Sequence, residues 1–252
     1  MLAARKLLRR NERTRAGAFL VEGPIAVAEA LARGEVQELF VDADLSSATS
    51  WLGRGAVAVS GRVIDALTDT STPQGVVAVA SMRTIPIAET SGDLMLVLSN
   101  VRDPGNAGTL VRSAVAAGAS AVVFCSGSVD PFNPKTVRST AGLLFHVNVV
   151  AGVGLEEAVD ELRRKGFRIL GADAGSSVAP DTLDLSDPVA LVLGNESWGI
   201  DEASSRLLDD VVGIPMPGPA ESLNVGIAGS ILLFEAVRQR RASSSTRNQT
   251  RL

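Results

Sequence analysis

Apolar positions recur along this chain with two alternating rhythms. Short runs with no polar interruption, "GVVAVA", "LMLVLS", "SAVVFC" and "VALVLG", predict strands buried on both faces. Between them lie stretches whose apolar residues return every three or four positions, as helices packed on a sheet require. Up to about residue 80 the pattern predicts a basic helix over 3–15, then strand "AFLVEG" and a helix opened by Pro24 and closed by Gly34. Strands "QELFV" and "GAVAVS", helix "RVIDALTD" and strand "GVVAVA" follow. Residues 82–93 hold two turn-prone regions without a sustained period and read as a linker between a first domain, 1–81, and a second, 94–241.

The second domain opens with "LMLVLS". Asp103 and Pro104 then start a helix whose apolar stripe is Leu110, Val111, Ala114 and Val115, and which Gly118 ends. Two turns into it the pattern buries an arginine, Arg112. Strand "SAVVFC" and the half-buried strand "GLLFHVNVV" precede the amphipathic helix "LEEAVDELRRKG", stopped by Gly166. "RILGAD", "VALVLG" and "VVGIPM" are strands, and a long helix begins at Ser222. Residues 242–252 are polar and read as a disordered tail. Strands alternating with helices predict an α/β fold with a mostly parallel sheet covered on both faces.

Composition narrows the chemistry. The 252 residues, 46% apolar, suffice to bury a large core, and no run approaches the roughly 18 apolar residues of a membrane span. One cysteine, Cys125, excludes an internal disulfide and a multi-thiolate zinc site, so the expectation is a cytoplasmic protein without membrane or metal. The one histidine, His146, lies in an apolar run and reads as structural, so histidine-based catalysis is not expected. Net charge is −4, yet residues 1–15 set six basic side chains against Glu12, and the chain from Glu235 onward sets five arginines against one glutamate. Basic ends on an acidic body suit a polyanion met at particular faces; a solvated helix face and frayed tail explain the same charges.

Three loops that leave predicted strands carry unusual residues: "NVRDPGNAG", "GNESWGI" and "PMPGPAESLN". In open α/β sheets such loops converge at the carboxyl ends of strands, where ligands bind. They lack the G-x-G-x-x-G dinucleotide fingerprint, the phosphate-cradling G-x-x-x-x-G-K-[ST] and the G-x-S-x-G nucleophile elbow.

"DPGNAGTLVRSAVAAGASAVV", "LVLGNESWGI" and "IPMPGPAESLNVGIAGSILLFEAVR", in that order over about 130 residues, resemble the three motifs of the SpoU (TrmH-like) family of RNA ribose 2′-O-methyltransferases, SPOUT class. The resemblance implies a trefoil-knotted domain threaded from about Gly194, S-adenosylmethionine as methyl donor, and a homodimer with its active site near the subunit interface. The first domain is similar to the substrate-binding domain of ribosomal-RNA members, itself similar to a ribosomal-protein fold. Ribosomal RNA is the implied substrate; transfer RNA, or a non-catalytic RNA-binding module, are the alternatives. Arg112 corresponds to the family's catalytic arginine. With a pKa above about 12 it is a poor base, and it suits binding a phosphate and the developing alkoxide; a plain salt bridge is the bland alternative. Asn106 would orient Arg112 or the ribose, and Glu196 would hold Arg112 or substrate hydroxyls. Ser222 and Asn224 match the third motif, where Ser222 also suits a helix cap. Gly194 would admit the donor close to the backbone, beside Asn195, while Ile214 and Leu223 would sandwich its adenine and Met216 line the same pocket. Arg5, Lys6, Arg9 and Arg10 would bind RNA. The small residues Gly226, Ala228, Gly229 and Ser230 suit close packing, against the knot or against a partner. Two positions depart from the family pattern: Ser197 stands where glycine is usual, which a positive φ there would penalise, and Ser99 where an acidic residue is common.

Overall fold

A computed structural model describes residues 2–249, with side chains over 3–243. In chain order it runs α1 (Leu2–Lys6), α2 (Arg10–Ala16), β1 (Ala18–Glu22), α3 (Pro24–Ala32), β2 (Val36–Asp42), α4 (Ala48–Leu52), β3 (Val57–Val59), α5 (Gly61–Leu67) and β4 (Val76–Ser81). Then come β5 (Leu94–Leu98), α6 (Pro104–Ala116), β6 (Ala121–Phe124), α7 (Pro134–Ser139), β7 (Asn148–Ala151), α8 (Leu155–Arg164), β8 (Arg168–Ala172), β9 (Val189–Leu193), α9 (Glu202–Ser205), β10 (Asp210–Val212) and α10 (Val225–Gln249). The chain divides into two compact units: residues up to Arg83 with Asp130–His146, and Thr84–Val129 with the chain from Val147 onward.

The first unit is a four-stranded sheet in the order β1-β4-β2-β3, antiparallel except for the β2–β3 pair. Ala4, Leu7, Leu20, Phe40, Ile64, Leu67, Val77 and Val79 form one buried cluster. The segment Asp130–His146, assigned by periodicity to the second domain, belongs here. Phe132 and Phe145 pack on Phe19, with ring centroids 4.9 and 6.0 Å away. Arg13 donates to Asp130 Oδ2 at 2.5 Å. These partners are over a hundred residues apart in sequence, so no local pattern could reveal the excursion.

The same arginine explains why the predicted helix over 3–15 is two helices. Between α1 and α2 the chain tightens into short turns, which leave carbonyls unpaired. Arg13, only 2% exposed, donates from Nη1 to the carbonyls of Leu7 and Leu8, each at 3.0 Å. His146 is structural as expected: its Nε2 lies 2.7 Å from Glu29 Oε2 and its Nδ1 2.9 Å from an Arg33 nitrogen. It does not lie in a strand, however. Leu143–His146 form a single 3-10 turn, and the strand begins at Asn148.

The second unit is a six-stranded, wholly parallel sheet in the order β10-β8-β9-β5-β6-β7. Its continuous apolar runs follow from having both faces covered. Met95, Val97, Val123, Ile169 and Val192 pack with Ala158, Val159 and Leu162 of α8 on one side. Leu94, Leu96 and Leu98, on the other, are buried, as are Leu110 and Ala114 of α6 and Leu232, Leu233 and Ala236 of α10. The linker is an ordered strap: Ile87 joins the α8 cluster, and Lys165 Nζ donates to the carbonyls of Ala88 at 2.6 Å and Thr90 at 2.7 Å.

Strand order reverses beside β5. From β5 the chain builds outward through β6 and β7, then returns to place β9 on its other side. Loops at the carboxyl ends of β5 and β9 are thereby made neighbours, the crevice where such sheets bind ligands. "VVGIPM" is extended only over Asp210–Val212. The last helix starts at Val225, three residues beyond Ser222, and continues to Gln249. The expected disordered tail is therefore helical through that residue, and 250–252 lie outside the described residues. Its small residues face inward: a Cβ on Gly229 would run into Leu110 and Leu193, and Ser230 Oγ lies 2.6 Å from Ser113 Oγ. They serve packing within the unit.

Candidate functional site

Asp103 caps α6, its Oδ1 accepting from the Asn106 N–H at 2.8 Å. This cap sets the loop after β5 so that Asn106 faces the loop after β9. That second loop is a tight return in which Asn195 and Gly199 exchange backbone hydrogen bonds of 2.8 and 2.9 Å. Gly194 has no room for a side chain because a Cβ would overlap the backbone of Gly199 and Ile200. Its smallness admits this return, so the close backbone approach expected for a ligand is made first by the chain itself. Asn195 is 6% exposed and spans the loops: its Nδ2 donates to the Asn100 carbonyl at 2.8 Å, and its Oδ1 accepts from the Ser197 N–H at 2.9 Å. Ser197 fits without strain, since the positive φ of this loop falls at Gly199.

Glu196 stands at the centre. Its Oε1 accepts from the Asp103 N–H at 3.0 Å and from Asn106 Nδ2 at 3.3 Å, and its Oε2 from the Arg102 N–H at 3.3 Å. Partial burial pushes this carboxyl up, but the donors from Asp103, its own backbone, Asn106 and Arg102 outweigh burial and hold it below its ordinary value. An ionised carboxylate accepts only, so Asn106 must turn its amide nitrogen toward Glu196 and its oxygen away. That oxygen accepts from Asn224 Nδ2 at 2.9 Å. Asn224 Oδ1 in turn accepts from the N–H groups of Gly226 at 2.9 Å and Ile227 at 3.3 Å. One polar chain thus runs from the start of α10 to Glu196 and ties all three loops together. The cap of α10 is Asn224, where the sequence suggested Ser222.

Beside this chain lies a cavity of about 300 Å³, within the range of small-molecule sites. Gly194, Asn195, Ile214, Met216 and Leu223, the residues expected around a donor, line it, and so do Glu196 and Ser222, for which roles toward the substrate were expected. The backbone N–H and C=O groups of Ile214, Met216 and Leu223 have no hydrogen-bond partner among the described residues, and so are free to read a polar ligand edge. Sequence reasoning missed Asp173 and Ala174, which follow β8, and Trp198. "RILGAD" ends like the other three site strands, and that was the available signal. Arg102, also missed, places its guanidinium 5.1 Å from the Trp198 ring centroid.

Arg112 departs from expectation. It is exposed and does not line the cavity. Asn106 and Glu196 spend their hydrogen bonds on each other and on the loops, and the Arg112 guanidinium has no hydrogen bond or ion pair among the described residues. Neither the bland salt bridge nor the expected contact with Glu196 forms.

Arg5, Lys6, Arg9 and Arg10 are exposed and make no ion pair among the described residues. Other basic residues near the ends are taken up internally. Arg13 holds Asp130, Arg238 pairs with Glu235 at 2.7 Å, and Arg240 meets Asp93 at 2.6 Å while donating to the carbonyls of Leu185, Asp93 and Asp187. Among the described residues there is no group of three or more His, Cys, Asp or Glu that could hold a metal, and no helix long and apolar enough to cross a membrane.

Residues 93–234 match the SpoU rRNA methylase family, and residues 3–78 match an MRM3-like substrate binding domain. The chain is 38% identical over 233 residues to the 23S rRNA (guanosine(2553)-2′-O)-methyltransferase RlmP of Bacillus subtilis, covering 91% of this chain and 92% of that one. It is 35% identical over 250 residues to a 23S rRNA (uridine(2479)-2′-O)-methyltransferase of Streptomyces viridochromogenes, with 92% and 86% covered. The crystal structure of the SpoU methyltransferase AviRb from Streptomyces viridochromogenes, in complex with the cofactor AdoMet, matches with a TM-score of 0.86 at 33% identity, over 95% of this chain and 97% of that one.

Proposed function

The chain belongs to the SpoU rRNA methylase family, and from that premise we propose that it transfers a methyl group from S-adenosylmethionine to a ribose 2′-hydroxyl of 23S ribosomal RNA. The observation that carries this reading is the cavity at the end of β9, walled by the backbone of 194–199 and by Ile214, Met216 and Leu223. Its residues fit the donor. Ile214 and Leu223 offer apolar faces to an adenine, and the unpaired backbone groups of Ile214, Met216 and Leu223 match its donor and acceptor edge. Ser222 adds a hydroxyl to the same wall.

When bound, S-adenosylmethionine supplies an electrophilic sulfonium methyl, so the protein needs neither metal nor covalent intermediate. What remains for the protein is to align the ribose oxygen with that methyl and stabilise charge as the hydroxyl proton leaves. Arg112, exposed and without a partner among the described residues, has a guanidinium available to the phosphate beside the target ribose and to the developing alkoxide. Glu196 is a tether: three donors occupy its oxygens, and a carboxyl held below its ordinary value is a weak proton acceptor. Asn106 and Asn224 transmit that tether to α10.

Residues 1–81, with the excursion 130–146 that joins their unit, would recognise RNA, with Arg5, Lys6, Arg9 and Arg10 contacting phosphates, residues 82–93 would connect, and the rest of 94–241 would carry out transfer. We read the chain from about Gly194 as threaded into a trefoil knot, because after edge strand β10 it returns past the end of β9 to lay α10 on α6 and β9. We also read the protein as a homodimer working in the cytoplasm. Ile227, Ile231 and Phe234, spaced as one helical stripe on α10, are 52%, 40% and 49% exposed.

The test is to incubate the purified protein with radiolabelled S-adenosylmethionine and either ribosomal or transfer RNA, then map 2′-O-methyl positions. A discrete site in 23S ribosomal RNA is expected. Labelling of transfer RNA alone would move the substrate, and no labelling with intact donor binding would leave an RNA-binding module.

A further inference from the structure

Trp198 is out of place by ordinary burial rules. The other tryptophan, Trp51, is 7% exposed, as so large an apolar side chain should be, whereas Trp198 is 53% exposed. It is nevertheless held. The bonds between Asn195 and Gly199 and from the Ser197 N–H to Asn195 Oδ1 fix the loop on both sides of it. Arg102 lies over its ring with Cζ 5.1 Å from the centroid, and the Arg102 N–H is bonded to Glu196. Arg102 therefore hangs from the Glu196 carboxylate and Trp198 from the loop that Asn195 closes, and Trp198 lines the cavity wall. The arrangement is a π-face backed by a cation and open to solvent at the edge of the cavity.

We propose that Trp198, backed by Arg102, is a stacking shelf for a nucleobase of the substrate RNA and a specificity-determining element for the nucleotide presented to the donor. The inference rests on the methyltransferase reading above and names a contact which that reading leaves open. The ribose to be methylated must sit beside the cavity, so its own base or a neighbour must be turned out of the RNA stack and given another surface. An indole face accepts any base, and a guanidinium beside it adds attraction for the polyanion. The donor's adenine does not require this shelf, because Ile214 and Leu223 offer it apolar walls.

Trp198→Ala and Trp198→Phe test the proposal, with four readouts: KM for an RNA fragment containing the methylated site, kcat, donor affinity by calorimetry, and indole fluorescence on adding that fragment with S-adenosylhomocysteine present. Stacking on one aromatic residue implies a rise in KM of about tenfold for Trp198→Ala. The loss should fall on KM rather than kcat, phenylalanine should restore most of it, and donor affinity should stay within about twofold of wild type. RNA should quench fluorescence in the wild type and not in Trp198→Phe. An unchanged KM, an equal loss of donor affinity, a dimer that dissociates in Trp198→Ala, or quenching that survives in Trp198→Phe would each overturn the shelf. The two readings fail separately. Quenching without methyl transfer to any RNA leaves the shelf and removes the enzymatic reading, whereas methyl transfer with an unaltered Trp198→Ala does the reverse.

Discussion

Glu196 and Asn106, ninety residues apart in the chain, meet with Oε1 3.3 Å from Nδ2. That contact, extended through Asn224, makes one site out of three separated motifs. Each participant constrains the next: an acceptor-only carboxylate orients one amide, which orients the second, which caps a helix.

Replacing the centre of this chain should loosen all three loops. In Glu196→Gln an amide nitrogen must face N–H donors, and the loss of one charge-assisted hydrogen bond, about 1.5 kcal/mol, predicts about a tenfold fall in donor affinity. Calorimetry checks it. The wild-type carboxyl sits below its ordinary value, so its anchoring is present above the unfolded pKa and is lost only as pH falls through the lower folded value. Donor affinity should therefore stay flat from pH 8 to about 5, well above the ordinary glutamate pKa of about 4.3. A decline already at pH 6 would mean another group controls the site.

Asn224 and Ser222 should separate by role. Asn224→Ala removes the cap of α10 and is expected to cost about 1 kcal/mol of stability, a fall in Tm of about 2–4 °C. Ser222→Ala should stay within about 0.5 kcal/mol and express itself in donor affinity instead. Thermal unfolding of both proteins distinguishes cap from cavity wall.

Arg112→Ala should retain donor binding and lose transfer by about a hundredfold or more, the usual effect of removing one group that stabilises transition-state charge. Arg112→Lys should recover only part, since an ammonium cannot bridge phosphate and alkoxide as a planar fork does. Single-turnover transfer with saturating RNA reads this directly; ordinary turnover by Arg112→Ala would remove the role assigned to it.

The apolar stripe on α10 predicts a dimer that one charge disrupts. Phe234→Glu, on the open face and away from the inward Gly229 and Leu233, should sediment as a monomer where the wild type sediments as a dimer. A variant that remains dimeric would place the subunit contact elsewhere.

RNA binding should weaken steeply with salt. Changing Arg5, Lys6, Arg9 and Arg10 together to alanine should lower the slope of log affinity against log salt by about 3 for single-stranded contacts. An unchanged slope would show that these four exposed basic residues do not touch phosphate.

Much of this molecule was legible in its order of residues. Strands buried on both faces announce themselves as uninterrupted apolar runs, because the central strands of a covered parallel sheet leave no position for a polar side chain. Asp103 with Pro104, and Gly166, mark helix ends through local backbone chemistry that needs no distant partner. The cavity residues Gly194, Ile214, Met216 and Leu223 were singled out by the resemblance of the three motifs, whereas Asp173, Ala174 and Trp198 were not. What only the tertiary structure decided depends on partners far away in the chain. It made Arg13 the closure of a broken helix, joined 130–146 to the first unit, and turned the small residues of α10 inward. It also set Glu196 as a tether instead of a partner for Arg112, and left Trp198 uncovered beneath Arg102. Periodicity reports which face of an element is buried; which atom a polar side chain meets is set by strand order, and here that order brings β9 back beside β5.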